Sequence, residues 1–167
     1  MIIRAADPHS IFDDSTARAA MVKYCQKRGL ECVVNGTYDK IDVCARNLQT
    51  GEIVGLELTN NSCWTTQERY PEPRIHIPRR KWETFFHQVY NHPAANISKT
   101  DRAYLVVMNV PCTRAALLKF TDILKPLPIF EEEYLEINGK SDIFVWVPVS
   151  YIHNYIDLPP LSDEIKV

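Results

Sequence analysis

The sequence predicts an α/β fold, a central mixed sheet flanked by helices, and three observations carry that expectation. Residues Ser15 to Arg28 set Ala17, Ala20, Met21, Tyr24 and Cys25 along one side at helical spacing. The stretch from Ile41 to Thr59 reads as two strands around a turn. Tyr104 to Val110 is a short, valine-rich apolar run between polar loops, the pattern of a strand buried on both faces. At 167 residues, 46% of them hydrophobic and 24% charged, the chain suits a single domain over 1–167 with a substantial core.

The elements follow in order. Asp14 and Ser15 suit the cap of the first helix, Lys23, Gln26 and Lys27 fall on its polar side, and Gly29 ends it. Glu31 to Val34 forms a short strand and Asn35-Gly36 a turn. Ile41 to Ala45 is the second strand, Asn47 to Glu52 a turn, and Ile53 to Thr59 the third strand. Asn60 to Pro73 lacks periodicity and reads as a loop, and Arg74 to Ile77 as a brief extended piece. Pro78 suits the start of a second helix, Arg79 to Asn91, with Trp82, Phe85, Phe86 and Val89 on its apolar side and His92-Pro93 as its stop. After the apolar strand, the pattern gives a helix over Thr113 to Leu124. Strands Ile129 to Ile137 and Asp142 to Val149 follow, with a turn at Asn138-Gly139-Lys140 between them. Tyr151 to Tyr155 reads as a last helical turn, and the tail from Pro159 as frayed.

Composition narrows the function classes. No segment has the layout of a signal peptide or the length to cross a bilayer, so a soluble, cytoplasmic protein is expected. The five cysteines form no Cys-x-x-Cys pair and read as reduced thiols, which argues against a structural zinc site. A formal charge of -2 gives no general affinity for nucleic acid, so any such face must be local. His-Glu-x-x-His, a glycine-rich phosphate loop and serine-nucleophile motifs are absent. Glu131-Glu132-Glu133 reads as a solvated edge.

The hairpin carries the chemistry. A turn centred on Gln49 and Thr50 sets Asp42 opposite or nearly opposite Glu57, two carboxylates spaced to grip a divalent metal. Glu57 lies between Leu56 and Leu58 in an otherwise apolar strand, where a carboxylate needs a metal or cation to offset its desolvation. Glu57 and Thr59 share one face, with Leu56 and Leu58 on the other. Asp39, in Gly36-Thr37-Tyr38-Asp39, is the competing ligand. Register favours Asp42, because pairing through it leaves Gly51 in the turn rather than on the strand.

This order of elements, with Asp on the second strand and Glu on the third, resembles the PD-(D/E)XK nuclease superfamily over roughly Ser15 to Val110. The resemblance implies an αβββαβ core whose hairpin holds the active site, followed here by a C-terminal helix and two strands. It implies Mg²⁺ or Mn²⁺ held by Asp42, Glu57 and the backbone carbonyl of Leu58, and hydrolysis of DNA phosphodiesters by an endonuclease, with RNA as the alternative substrate. Thr59 stands where the motif has Lys. In some members that lysine sits on another element, and Lys81 is the first candidate for it here, Arg80 the second. Arg74, Arg79 and Arg80 would hold the strand. Trp64 through Tyr70-Pro71 and His76-Ile77-Pro78-Arg79-Arg80-Lys81-Trp82 look similar to a pattern of small viral or phage-type members, which for a viral protein implies the host cytoplasm. A homodimer is compatible with many members' mode of cutting. The runner-up is a nuclease fold that has lost catalysis, as Thr59 suggests, and binds nucleic acid or protein as a viral structural or accessory factor.

Overall fold

The computed structural model describes residues 13–34, 42–83, 85, 103–124, 130–137 and 140–160. Helix α1 (Asp13–Lys27) comes first, followed by β1 (Leu30–Val34), β2 (Val43–Asn47), β3 (Ile53–Asn60) and β4 (Arg74–Pro78). Residues 79–83 and 85 are helical and form α2. Then come β5 (Ala103–Met108), β6 (Arg114–Lys119), α3 (Phe120–Leu124), β7 (Glu132–Ile137), β8 (Lys140–Pro148) and β9 (Ile152–Asp157). The strands form a six-stranded mixed sheet in the order β1-β2-β3-β5-β6-β9 and a three-stranded sheet in the order β4-β8-β7. This is the expected mixed α/β architecture: a helix, a three-strand meander, a second helix and a further strand beside the third.

Local chemistry explains the first half. Ala17, Ala20, Met21 and Cys25 recur one helical turn apart and are buried along α1. Gly29, at φ 76°, closes the helix by donating its N–H to the Gln26 carbonyl at 3.0 Å. Asp14 and Ser15 lie inside the first turn rather than at the cap, since the helix begins at Asp13. Lys23 departs from the expected polar side: it is buried, and its ammonium donates to the Pro160 carbonyl at 2.6 Å. The hairpin turn is built by Asn47, whose Oδ1 accepts the N–H groups of Gln49 (2.9 Å) and Thr50 (3.2 Å), and Gly51 takes φ 75° there. Val43 faces Leu56 and Arg46 faces Ile53, the predicted register.

β5 is the centre of the molecule. It runs parallel to β3, from Gly55 facing Ala103 to Asn60 facing Met108, and antiparallel to β6. Its alternate residues feed two cores. Leu105 and Val107 pack with Trp64, Tyr70, Ile75, Ile77, Phe85 and Val147. Val106 and Met108 pack with Ala17, Met21, Val43, Leu56 and Leu58, under α1. The loop after β3 is pinned into the first core by Trp64, whose Nε1 donates to the Glu68 carbonyl, and by Tyr70, whose hydroxyl accepts from Asn61 at 2.7 Å.

The second half differs from expectation at two places. Thr113 to Leu124 is not one helix: Arg114–Lys119 is a strand, and only Phe120–Leu124 is helical. Asn109 causes the reversal. Its Oδ1 accepts from the N–H groups of Thr113 and Arg114, its Nδ2 donates to Thr66 O, and Cys112 takes φ 55°, so the chain returns along β5. Tyr151 to Tyr155 is likewise not helical; a 3₁₀ turn at Val149–Tyr151 leads into β9, which covers the edge of β6. Arg74–Pro78 is the expected extended piece, and it pairs with β8 in the second sheet.

Asp39, the Asn35-Gly36 turn, the second helix beyond residue 85, His92-Pro93, Asn138-Gly139 and the tail beyond residue 160 lie outside the described residues. All five cysteines are free thiols, and among the described residues no helix is long and apolar enough to cross a membrane. Leu105→Ala is expected to lower stability by about 2–5 kcal/mol, and Leu48→Ala, on an exposed turn, by under about 0.5 kcal/mol, in urea denaturation. Similar losses at both positions would contradict β5 as the core strand.

Candidate active site

Asp42 immediately precedes β2, and one further step of the hairpin register sets it opposite Glu57 in β3. The two carboxylates are cross-clamped through backbone. The Asp42 N–H donates to Glu57 Oε1 at 3.2 Å, and the Leu58 N–H donates to Asp42 Oδ2 at 2.9 Å. Both side chains are buried, Asp42 at 7% exposure and Glu57 at 2%. Two carboxylates so buried and so close carry a desolvation and repulsion cost that an opposite charge has to offset.

Lys81 supplies the charge. It lies on α2, three residues after the end of β4, and its ammonium donates to Asp42 Oδ2 at 2.9 Å and lies 3.1 Å from Glu57 Oε2. Lys81 is itself buried, at 7%. Thr59 is buried two residues beyond Glu57, on the same face of β3 by strand alternation. A fourth group joins from α1: Arg18 Nη1 lies 3.6 Å from Asp42 Oδ1. The sequence reading missed Arg18. Its only sequence signal is its place beside Ala17 on the buried side of α1, which says nothing of the hairpin docked against that helix.

Burial pushes the Glu57 carboxyl up to about 7; the Lys81 ammonium pulls against that rise, and the neighbouring Asp42 carboxylate adds to it. The donor set, two buried hard-oxygen carboxylates side by side, fits Mg²⁺ or Mn²⁺. Among the described residues no group of three or more His, Cys, Asp or Glu side chains could hold a metal, so other oxygens would complete its shell. Mg²⁺ is commonly held in this way, by one or two carboxylates with water and phosphate oxygens.

The other expected residues are placed differently. Arg74 pairs with Glu131 at 2.8 Å and stacks over Trp146 at 4.8 Å. Arg79 pairs with Glu83 at 3.4 Å and Glu132 at 3.7 Å. Arg80 is exposed on α2. Glu131, Glu132 and Glu133 are exposed as expected, yet each has a partner, Glu133 accepting from Trp146 Nε1 at 2.9 Å.

No family model and no curated protein matches this sequence. Among solved structures, the chain is similar to Hjc, a Holliday junction resolvase from the archaeal hyperthermophile Archaeoglobus fulgidus. The TM-score is 0.49 and the identity 10%, over 92% of this chain and 95% of that chain.

The raised Glu57 carboxyl has a stability consequence. Between its ordinary value of 4.5 and about 7, the native protein holds a proton that the unfolded chain has released, so stability falls as pH rises through that window. Glu57→Gln removes this linkage. Urea denaturation from about pH 4.5 to about pH 8 should show wild type losing on the order of a few kcal/mol relative to Glu57→Gln. Parallel profiles would assign the proton elsewhere.

Proposed function

We propose that this chain is a metal-dependent nuclease of the PD-(D/E)XK type that hydrolyses DNA phosphodiester bonds as an endonuclease. One observation carries the reading: a lysine from outside the hairpin sits between the two hairpin carboxylates, at 2.9 and 3.1 Å, while the strand position for that lysine is Thr59. Asp42 and Glu57 would hold Mg²⁺ or Mn²⁺, joined by the Leu58 carbonyl. Bound there, the ion supplies charge neutralisation at the phosphate and a water of lowered pKa.

The protein's own groups do the rest. The backbone clamp between Asp42 and Glu57 fixes the carboxylates before substrate arrives, so little reorganisation accompanies the reaction. Lys81 donates hydrogen bonds to the attacking water or to a phosphate oxygen, and holds either one against the hairpin. Arg80, exposed on the same helix, would meet the strand together with Arg74 and Arg79, whose pairs with Glu131 and Glu132 would then be exchanged for phosphate. Cutting both strands of a duplex needs two such sites, which a homodimer would supply.

Thr59 and the acidic partners of Arg74 and Arg79 favour a second reading, a nuclease fold that binds nucleic acid or protein without cutting. A cleavage assay with Mg²⁺ or Mn²⁺ on single-stranded, duplex and branched DNA separates the two. Asp42→Ala, Glu57→Ala and Lys81→Ala are each expected to lower the rate by about 10²-fold or more. Adding Thr59→Lys to Lys81→Ala should restore part of that loss, because residue 59 shares a face with Glu57. Equal activity in wild type and all single variants would sink the site, and no cleavage by wild type on any substrate would favour the binding reading.

A further inference from the structure

β7 is the outer strand of the second sheet, and the way it pairs with β8 leaves one side of its backbone open. Residues facing each other in an antiparallel ladder alternate between bonded and unbonded pairs. The Trp146 N–H donates to the Glu131 carbonyl at 2.9 Å, so Glu131, Glu133 and Leu135 are the residues bonded to β8. The N–H and C=O groups of Glu132, Tyr134 and Glu136 therefore point away from the sheet. Among the described residues no strand pairs with that side, and all three residues are exposed, Tyr134 at 68%.

The other sheet edges are blunted in ways that β7 is not. β4 follows Pro73 and ends on Pro78, β9 meets β6 through a register shift, and β1 carries both signs of charge, Glu31 pairing with Arg46 of β2 at 2.6 Å. β7 has neither proline nor register shift, and its charge has one sign: Glu132, Glu133 and Glu136 lie on it and Glu131 directly before it. Carboxylates on both faces of an open strand turn away a strand of like charge, a second copy of β7 included, and they turn away the phosphates of DNA. They admit a basic strand. The chain's own cations show the preference, since Arg74 sits on Glu131 at 2.8 Å and Arg79 on Glu132 at 3.7 Å, while Glu133 and Glu136 have no cation among the described residues. We propose that β7 is a docking edge for an extended basic segment of another protein, which joins the β4-β8-β7 sheet as a fourth strand. Its backbone takes the open groups of Glu132, Tyr134 and Glu136, which supplies affinity, and Lys or Arg side chains on it meet Glu133 and Glu136, which supplies choice of partner.

The test uses two fluorescein-labelled peptides the length of β7, one alternating Lys with Thr and one alternating Glu with Thr, followed by fluorescence anisotropy at low salt. Wild type is compared with Tyr134→Pro and with Glu133→Lys/Glu136→Lys, with melting curves to establish folding. Proline is tolerated on an edge strand where the N–H faces solvent, so Tyr134→Pro removes an open donor and leaves the ladder to β8 in place. Wild type should bind the Lys peptide about tenfold or more tightly than the Glu peptide. Tyr134→Pro should weaken the Lys peptide by about tenfold, and the double reversal should invert the preference between the peptides. Amide hydrogen exchange on wild type gives a readout that needs no variant: the Lys peptide should slow exchange at Glu132, Tyr134 and Glu136 by about tenfold or more.

Binding that survives Tyr134→Pro unchanged, or that leaves exchange at those three amides untouched, is charge attraction alone and overturns strand addition. Failure to bind the Lys peptide, or equal binding of both peptides, overturns it as well. A concentration-dependent dimer of wild type that Tyr134→Pro abolishes would give the edge to a second copy and overturn the basic partner. The nuclease reading stands or falls separately, on the cleavage assay.

Discussion

A buried ammonium held between two buried carboxylates is the constraint around which this structure is arranged. All three groups are buried, and the ammonium and the carboxylates offset one another's desolvation at 2.9 and 3.1 Å. The three groups come from different parts of the chain: the residue before β2, the middle of β3, and the helix that follows β4. β4 belongs to the second sheet, so the ion cluster ties the position of that sheet to the hairpin of the first. Apolar packing between Ile75, Ile77 and Leu105 works in the same direction but is non-directional. The hydrogen-bonded charges add the geometric precision.

The parallel pairing of β3 with β5 sets the surroundings of that cluster. It places β3 inside the sheet, so Leu56 and Leu58 pack under α1 while Glu57 and Thr59 turn to the face shared with the second sheet. A strand in that position has no solvent-facing side, and a carboxylate on it is desolvated wherever it points. The rise of the Glu57 carboxyl to about 7 is the direct consequence. A hairpin at a sheet edge would hold the same two residues as ordinary surface acids.

What was legible in the sequence was what depends on local periodicity or turn chemistry. The spacing of Ala17, Ala20, Met21 and Cys25 marked α1, and Asn47 with Gly51 fixed the hairpin turn and hence the register that faces Asp42 with Glu57. β6 was misread because it is buried on both faces. Ala115 lies in one core and Ala116 and Leu118 in the other, so its apolar residues do not alternate and imitate a helix. β9 was lost with it, since its reason for being a strand is the β6 edge it covers. Lys23 and Arg18 were opaque because their partners, Pro160 and Asp42, are distant in sequence. Lys81 was reached through the family resemblance and the short step from Pro78, not through any pattern of its own.

The cation of this cluster comes from α2, while Thr59 holds the position two residues beyond Glu57 on β3. A lysine at position 59 would be delivered by the same hairpin that carries the carboxylates, so the cluster would form wherever the hairpin forms. With the ammonium on α2, the hairpin presents two carboxylates that are complete only after β4 has joined β8 and α2 has docked. The charge cluster then depends on tertiary structure rather than on one local element. Any loosening of the second sheet leaves two carboxylates facing each other without their cation, and that repulsion opposes partial opening. The arrangement therefore penalises partly assembled states and favours the one in which both sheets, α1 and α2 are in place.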